Sequence, residues 1–400
     1  MTYIKRGTPI FRSASLALFA GGFSTFAILW GMQPLLPEIS GEFHISPAVS
    51  SFSLSAATVA LSFSLLIAGS LSEVYGRKNI MAVSLILSSI LSILTAFAPN
   101  FHILILARIL QGITLAGLPA AAMAYLGEEM DSSSLGLAMG LYISGNSIGG
   151  MAGRIVSGFL TDTFSWHAAM AGLGIISFLA SIIFWKGLPE SRHFKPRELK
   201  IRKLVRSLGS QFRERALLQL FLIGFLIMGG FVALYNYMGF QLTRPPYSLS
   251  GTLVGFIFIV YIVGSFSSTW MGMLSDVYGK SKVLLLSLGI LLVGACLTLG
   301  GDLWLKILGL AIFTFGFFAA HSIASGWVGL VSTHDKAQAA SLYLFFYYAG
   351  ASIGGTGSGV FYSRFGWTGV IAMIAVLTTG ALILTIQLGQ RGRRELKKSA

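Results

Sequence analysis

GSLSEVYGR (69–77) and GMLSDVYGK (272–280) are the two stretches that decide the fold of this 400-residue chain. Six of their nine positions are identical, and two others keep the sign of their charge. They lie 203 residues apart, which is about half of the chain. A second pair, GNSIGG (145–150) and GASIGG (350–355), lies 205 residues apart. Two matches at nearly the same offset indicate that the chain consists of duplicated halves.

Long apolar runs fill both halves of this repeat. The chain is 54% hydrophobic and 10% charged, with a mean hydropathy of +0.78. A soluble domain carries roughly 25% charged residues, and about 20 apolar residues cross a hydrocarbon core of ~30 Å. We therefore predict an all-α membrane protein with twelve transmembrane helices in two pseudo-symmetric six-helix bundles. The predicted helices cover residues 14–36, 47–71, 79–98, 101–126, 135–160, 167–187, 216–241, 250–273, 282–300, 303–328, 338–361 and 367–388.

The basic residues lie mainly between and beyond the apolar runs. We predict an N-terminal six-helix half (1–188), a basic cytoplasmic linker (189–215) and a C-terminal six-helix half with a basic cytoplasmic tail (216–400). With the N-terminus inside, 23 of the 28 Lys and Arg residues fall on the cytoplasmic side. This bias predicts that both termini are cytoplasmic. The first apolar run is too long for a cleaved signal peptide, so we expect it to remain as the first helix.

Several other classes of protein fit the sequence poorly. A net charge of +14 could indicate nucleic acid as a partner, but the position of the basic residues favours membrane anchoring instead. The single cysteine, Cys296, allows no intramolecular disulfide and no cysteine-based metal site. The nucleotide-binding pattern Gly-x-x-x-x-Gly-Lys-Ser/Thr is missing from the sequence, so we do not expect ATP to drive the protein directly. Scattered acidic residues argue against a membrane enzyme, and the duplicated halves argue against a channel.

Three motifs resemble those of the major facilitator superfamily. Residues 69–78 resemble its loop 2–3 signature, LARILQG (106–112) resembles its helix-four motif, and residues 145–153 resemble the glycine-rich helix-five motif of its antiporter branch. YISGNSIGGMAGR (142–154) and FFAAHSIAS (317–325) are similar to the bacterial YnfM-type transporters of the drug:proton antiporter group. The resemblance covers essentially the whole chain. It implies alternating access and proton-coupled efflux across the bacterial inner (cytoplasmic) membrane.

Charged residues in the two matched loops are expected to form a gating motif. The glycines let each loop turn tightly, and the basic residues of the first loop can pair with Glu128, Glu129 or Asp131 beyond helix four. Glu73 can face the N-terminus of a helix, which we expect to be the eleventh. Such a latch would close the cytoplasmic side and break when the cavity opens inward; simple positive-inside anchoring is the alternative. The predicted gating residues are Gly69, Glu73, Gly76, Arg77, Lys78, Glu128, Glu129, Asp276, Gly279 and Lys280.

Three glycines of helix five, Gly145, Gly149 and Gly153, share one helix face because they are four residues apart. Small residues at this spacing let a second helix pack closely. The same face could also act as a gating surface on which helices slide. The family often has proline after a central glycine of this motif, whereas Gly150 follows Gly149 here, so a helix kink is not assured.

Ionisable residues inside the predicted helices are costly in a bilayer and point to function. Arg108 and Arg154 could form a positive wall of the central cavity, although Arg108 could also be a structural arginine bonded to carbonyl groups. His321 lies in the middle of the tenth helix and is the first candidate for carrying the coupled proton. The alternative is a neutral histidine bonded to a neighbouring helix. Glu38, after Pro37 at the outer end of helix one, is the second candidate.

The same charged residues allow a prediction of the charge of the transported compound. Transporters of cationic compounds generally need a buried carboxylate, and every Asp and Glu of this sequence falls in a loop or at a predicted helix end. We therefore expect an anionic, zwitterionic or neutral amphiphile. Polar and aromatic side chains could line its cavity, although each ring could instead face lipid. The candidates for the cavity and for coupling are Trp30, Gln33, Glu38, Arg108, Gln111, Asn146, Arg154, Tyr235, Asn236, His321, Trp327, Tyr347 and Tyr348.

Taken together, the sequence predicts a proton-coupled efflux transporter. The alternative is facilitated uptake, or sugar or metabolite export, without proton coupling. We expect a monomer in the lipid bilayer whose partners are a small-molecule substrate and protons. We expect no nucleic acid, no cofactor, no metal and no catalytic residue.

Overall fold

A computed structural model describes residues 3–194, 201–332 and 335–399 of the chain. Residues 195–200 of the predicted linker lie outside this described part. Helices make up nearly all of the described chain. They are α1 (Pro9–Trp30), α2 (Leu36–Glu42), α3 (Pro47–Tyr75), α4 (Arg77–Thr95), α5 (Phe101–Leu115), α6 (Gly117–Glu129), α7 (Ser132–Thr163), α8 (Trp166–Gly187), α9 (Ile201–Gln211), α10 (Arg215–Leu242), α11 (Gly251–Phe256), α12 (Tyr261–Tyr278), α13 (Lys280–Leu297), α14 (Leu303–Val331) and α15 (Lys336–Ser399).

The helices match the twelve predicted spans. By length and composition alone, ten helical segments of the described chain could cross a membrane. Helix α7 is a further helix of 32 residues, and the last of the ten segments is two helices that meet at Gly366, where φ is 61°. Three of the ten segments each contain two α-helices in succession, α1 with α2, α5 with α6, and α11 with α12. The first of these segments runs to Glu42, beyond the predicted span 14–36. The predicted all-α membrane fold is confirmed.

Polar residues at the ends of the apolar runs explain where many helices begin. Asn100 Oδ1 accepts a hydrogen bond from the Ile103 amide at the start of α5, at 3.0 Å. Ser165, Ser250 and Asp302 cap α8, α11 and α14 in the same way. Such caps satisfy backbone N–H groups that have no partner within the helix. The short polar connections of the sequence therefore fix both the ends and the spacing of the spans.

The repeat seen in the sequence is also present in the backbone. Gly76 joins α3 to α4 with φ 94° and ψ 140°, and Gly279 joins α12 to α13 with φ 95° and ψ 139°. Residues with side chains rarely adopt this conformation, so glycine is required at both turns. The two matched loops thus share one geometry, as expected of a duplication.

The helices form two compact units. The first consists of residues 3–45, 52–194 and 248–258. Within it, α1 packs against α7 and α8, and α4 packs against α8. Its best-buried side chains lie between the starts of α1 and α4 and the ends of α6 and α8. They include Leu18, Leu85, Tyr125 and Phe184, all with no exposed surface.

The glycine face of α7 lies directly against the backbone of α1. A Cβ atom on Gly145 would lie 2.4 Å from the Phe19 carbonyl oxygen, and one on Gly149 would lie 2.2 Å from the Phe23 carbonyl oxygen. At Gly153 the nearest atom would be the Ala27 Cα, at 2.6 Å. These glycines therefore set the distance between the two helices. Helix α7 runs without interruption through Gly149 and Gly150.

The second unit consists of residues 46–51, 201–247, 259–332 and 335–399. Within it, α10 packs against α15 and α13 packs against α14. A Cβ on Gly350 of α15 would lie 2.1 Å from the Phe225 carbonyl oxygen of α10. This contact repeats the close approach of α7 to α1, so the duplication extends to the packing of the helices.

Candidate functional site

Arg154 lies at the centre of a buried polar cluster in the first unit. Its side chain is 1% exposed. Nε donates a hydrogen bond to Gln33 Oε1 at 2.8 Å, and Nη1 donates to the Gly150 carbonyl at 2.7 Å. The guanidinium also lies over the rings of Trp30 and Phe258, 5.0 and 4.6 Å from their centroids. Aromatic faces and amide oxygens thus hold this cation inside the protein.

Asn146 lies two turns before Arg154 on α7. Its side chain is half-buried, and its Oδ1 lies above Gly22 of α1, where a Cβ atom would come within 2.2 Å of it. Two of the predicted cavity residues, Trp30 and Gln33, therefore contact a third, Arg154, whereas Asn146 lies two turns away beside Gly22.

Arg108 has a different environment, on α5. It is fully buried, and its Nε donates to the Ser53 carbonyl at 3.0 Å. Further bonds run to the carbonyls of Ile28 and Leu29 and to Gln111 Oε1. Gln111 in turn donates to the Ser88 carbonyl at 3.4 Å. Of the two interpretations of Arg108, the structure has the arginine bonded to carbonyl groups.

A cluster of aromatic rings lies in the second unit, on α10, α12 and α14. Phe231 stacks on Phe317 with ring centroids 3.7 Å apart, and its ring also faces Tyr261 and Tyr235. The Tyr235 hydroxyl is hydrogen-bonded to Thr314 Oγ1 at 2.6 Å. This aromatic cluster is therefore mainly apolar, and it contains a few polar groups at defined positions.

His321 continues this aromatic cluster along α14. Its Nδ1 lies 2.9 Å from the Tyr343 hydroxyl, and its ring lies 4.5 Å from the Tyr347 ring centroid. The side chain is half-buried, and no group of the described chain forms a hydrogen bond with Nε2. The Tyr343 hydroxyl therefore orients the His321 ring through Nδ1.

The remaining candidates do not join either cluster in the same way. Glu38 is exposed on α2, and Trp327 is half-buried near the end of α14. Tyr348 is 7% exposed and meets the edge of Tyr347. Asn236 is fully buried on α10, where its Nδ2 faces Gly355.

The first of the two loops predicted to act in gating, residues 69–78, forms a network within the first unit. Arg77 Nη2 donates to Glu128 Oε1 at 2.8 Å and lies 3.6 Å from Glu73. Arg77 Nη1 donates to Ser72 Oγ at 2.6 Å and to the Gly69 carbonyl at 3.4 Å. The arginine therefore connects the end of α3 to the end of α6.

Lys78 of this loop and the acidic residues around the end of α6 have partners that the sequence did not indicate. Lys78 Nζ pairs with Glu190 at 2.8 Å rather than with an acidic residue beyond helix four. Glu129, only 2% exposed, accepts a hydrogen bond from the His193 backbone amide at 2.8 Å, and its second carboxylate oxygen lies 3.1 Å from His193 Nδ1. Asp131 caps α7, and hydrogen bonds from Ser133 lower its pKa.

The second gating loop repeats this arrangement on a smaller scale. Lys280 Nζ donates to Asp276 Oδ1 at 2.6 Å and to Ser275 Oγ at 3.1 Å. Ser275 and Ser72 occupy matching positions of the repeat, and each bonds the basic residue five positions later. The loops therefore share their internal hydrogen bonds as well as their backbone shape.

The sequence did not single out Asp162, at the end of α7. Its Oδ1 accepts a hydrogen bond from the Gly251 amide at 2.8 Å, and its Oδ2 accepts one from the Thr252 amide at 2.6 Å. A carboxylate is well placed at the N-terminus of a helix, here α11. The sequence shows an acidic residue at the end of one helix and, about 90 residues later, Ser250 and Gly251 at the start of another. Nothing in the sequence links the two positions.

Lys306, near the start of α14, is a further buried cation. It is 2% exposed, and its Nζ donates to the Thr298 carbonyl at 2.7 Å. The rings of Tyr247 and Trp367 both lie 5.5 Å from the ammonium. In the described residues, no group of three or more His, Cys, Asp or Glu side chains could hold a metal ion.

Comparison with known proteins identifies a family and several relatives that this chain resembles. The model of the Major Facilitator Superfamily matches residues 18–270 and 244–399. The uncharacterized MFS-type transporter YybF of Bacillus subtilis is 54% identical over 96% of this chain and 95% of its own. The inner membrane transport protein YnfM of Escherichia coli is 46% identical over 97% of this chain and 93% of its own.

Solved structures agree on the fold. A bacterial homolog of the human lysosomal transporter Spinster, in an inward-facing and unoccupied conformation, aligns with a TM-score of 0.74. The alignment covers 96% of this chain and 95% of that one at 17% identity. At this identity the likeness shows the fold alone.

Proposed function

Because the chain belongs to the major facilitator superfamily of membrane transporters, we propose that it is a secondary active transporter that works by alternating access. It is a transporter and not an enzyme. The proposed reaction is the efflux of a small amphiphilic anionic or neutral compound across the cytoplasmic membrane, coupled to the entry of protons. Both termini face the cytoplasm, as the 23 basic residues on that side indicate.

The charge distribution inside the membrane carries this proposal. The spans contain two buried arginines, Arg108 and Arg154, whereas every acidic residue lies in a loop or near a helix end. A buried cation disfavours a second cation nearby and favours an anion or a dipole. Arg108 is engaged by carbonyl groups, so Arg154 with Gln33 is the cationic group proposed to meet the cargo.

The aromatic cluster supports an amphiphilic cargo. Phe231, Phe317 and Tyr261 are buried and packed on one another, and the Tyr235 hydroxyl lies beside them, so the cargo would have to part these rings to bind among them. Binding sites for small molecules usually combine apolar walls with a few polar groups that fix orientation. In this proposal the rings bind the apolar body of the cargo.

His321 is the proposed proton carrier. Imidazole is the side chain whose charge changes most readily near physiological pH. The Tyr343 hydroxyl fixes Nδ1, which leaves Nε2 to exchange the proton. Because His321 lies among the aromatic rings, its protonation would change how strongly these rings bind an amphiphile.

The proposal can be tested in everted membrane vesicles that hold a pH gradient. Matched aromatic amphiphiles of four kinds would be added: anionic, zwitterionic, neutral and permanently cationic. We expect the anionic or neutral compounds to dissipate the gradient in vesicles that contain the protein and not in vesicles without it. The permanent cations should have no effect.

Two results would argue against the proposal. Robust transport of a permanent cation would contradict the electrostatic argument for the cargo. Transport at equal rates with and without the pH gradient would favour the uncoupled alternative of facilitated uptake or metabolite export. A counterflow assay without a gradient shows that the protein is active in both cases.

A further inference from the structure

The first described residues of the chain are attached to the turn between α6 and α7. The Ile4 amide donates to the Glu129 carbonyl at 2.9 Å, and the Asp131 amide donates to the Ile4 carbonyl at 3.0 Å. The Tyr3 ring stacks on His193 with centroids 4.3 Å apart. We call residues 3–8 the N-terminal strap. Its backbone is attached through Ile4 and also through the Arg6 amide, which donates to Ser134 Oγ at 2.9 Å.

A cavity of about 600 Å³ lies beneath the strap. Its walls come from the strap, from the first turns of α1 and from the segment that follows α8. Ile10 and Leu188 supply apolar surface, and Thr8 and Ser13 supply hydroxyl groups. The volume lies within the ~300–1,000 Å³ that small-molecule sites occupy.

Five charged side chains line the cavity, and the two acidic ones have partners. Glu129 is bonded to His193, and Glu190 is paired with Lys78. The three basic ones are Lys5, Lys186 and Arg192. Among the described residues, no carboxylate forms an ion pair with any of these three. With three basic and two acidic side chains, the lining is positive by one charge, and Lys5 also lies close enough to Asp131 to contribute to the lowered pKa of that carboxyl.

The position of the cavity indicates where its ligand comes from. Helix α1 begins at Pro9 and helix α8 ends at Gly187, so the cavity lies at the ends of two membrane spans. This is the level at which lipid headgroups meet the protein. Ile10, at the edge of the cavity, is 47% exposed and can contact an acyl chain.

We propose that this cavity binds the phosphate-bearing headgroup of an anionic phospholipid. Basic pockets at the ends of membrane helices attract such headgroups, because the phosphate charge is satisfied at little desolvation cost. The lipid would bridge Lys5 of the strap to Lys186 and Arg192 beyond α8. The apolar wall and the depth favour a lipid over free phosphate. The site does not depend on which cargo the protein transports.

Native mass spectrometry of the purified full-length protein tests this site. The protein would be exchanged into detergent with equal amounts of phosphatidylglycerol and phosphatidylcholine. We expect wild type to retain one phosphatidylglycerol in clear preference to phosphatidylcholine. The triple substitution Lys5→Gln, Lys186→Gln and Arg192→Gln should reduce this preference roughly tenfold or more.

Two matched variants control for charge and folding. Substitution of Arg213, Arg215 and Lys282, which are exposed elsewhere, by Gln removes the same charge and should leave the preference unchanged. The set Lys5→Arg, Lys186→Arg and Arg192→Lys keeps the charge and should restore it. Equal melting temperatures would show that the folds are intact.

Three outcomes would overturn the proposal. In the first, the triple Gln variant retains phosphatidylglycerol as wild type does. In the second, the Arg213, Arg215 and Lys282 control loses it equally. In the third, wild type binds inorganic phosphate, added alone at millimolar concentration, in place of the lipid, which would assign the cavity to a soluble anion.

Discussion

Arg108, Arg154 and His321, which the sequence singled out within the spans, differ in what surrounds them. Arg108 directs its donors at backbone carbonyls of neighbouring helices, which is the environment of a structural residue. Arg154 also donates to a carbonyl, that of Gly150, but it and His321 both lie beside aromatic rings. We therefore expect Arg108 to serve the fold, and we propose that Arg154 and His321 act in transport.

We predict that Arg108→Leu destabilises the protein. The substitution leaves the Ser53, Ile28 and Leu29 carbonyls without their buried donor, at a cost of roughly 1–3 kcal/mol or more. The melting temperature and the folded yield in detergent measure this loss. Arg213→Leu, at an exposed position, is the control and should change neither. Unchanged stability of Arg108→Leu would show that the carbonyl bonds are dispensable.

Arg154→Gln should change cargo preference more than stability alone explains. Loss of the cation should lower transport of an anionic cargo roughly tenfold relative to a neutral one of the same shape. The ratio of the two rates is the informative measurement, because a general loss of folded protein lowers both. An unchanged ratio would remove Arg154 from the proposed cargo site.

The close packing of α1 against α7 leads to a prediction about two whole helices. Gly149→Ala would place a methyl group against the backbone of Phe23, which cannot move as a flexible side chain would. We expect a loss of roughly 1–3 kcal/mol in unfolding free energy. Gly140→Ala on the same helix is the control, because nothing lies within 4 Å of its Cβ position. Equal melting temperatures for the two variants would contradict the close packing.

The Asp162 carboxylate gives a prediction about the start of α11. Asp162→Ala should cost about 1 kcal/mol, as the loss of a helix cap does. Hydrogen exchange should increase in peptides that contain the Gly251 and Thr252 amides. Peptides around Trp304, whose amide is capped by Asp302, should exchange as in wild type. Unchanged exchange at residues 251 and 252 would mean that the cap does not protect these amides.

The sequence predicted the helices well because span length is set by the bilayer, and apolar runs of that length are easily recognised. The turns at Gly76 and Gly279 were also predictable, since the repeat marks them twice. The interruptions within spans, such as the break between α5 and α6, were not, because they alter neither length nor hydropathy.

The partners of individual charges could be predicted only in part. Arg77 was matched to an acidic residue beyond helix four, whereas Lys78 pairs with Glu190 after α8. The contact of Asp162 with residues 251 and 252 joins positions about 90 apart in the chain. Such pairs depend on how helices assemble, which local patterns of hydrophobicity and charge do not record. The same applies to the strap and to its cavity.

At the scale of the whole molecule, the duplication explains why the two units share so many features. Both have a glycine turn with positive φ, a serine that bonds the following basic residue, and a glycine-rich helix pressed against its first helix. The differences lie in the side chains proposed for transport. The first unit contributes a buried arginine, and the second contributes a histidine among aromatic rings. Function is thus proposed to depend on where the halves have diverged.

Proton entry is proposed to drive the cargo out of the cell, with His321 as the proton carrier. The most direct measurement uses purified protein in liposomes loaded with a pH-sensitive dye, to which a cargo from the vesicle screen is added. Cargo-dependent proton movement and counterflow without a gradient are recorded for wild type, His321→Ala and Tyr343→Phe. We predict that His321→Ala abolishes proton movement and keeps counterflow, whereas Tyr343→Phe retains both. Full cargo-dependent proton movement by His321→Ala would contradict the account.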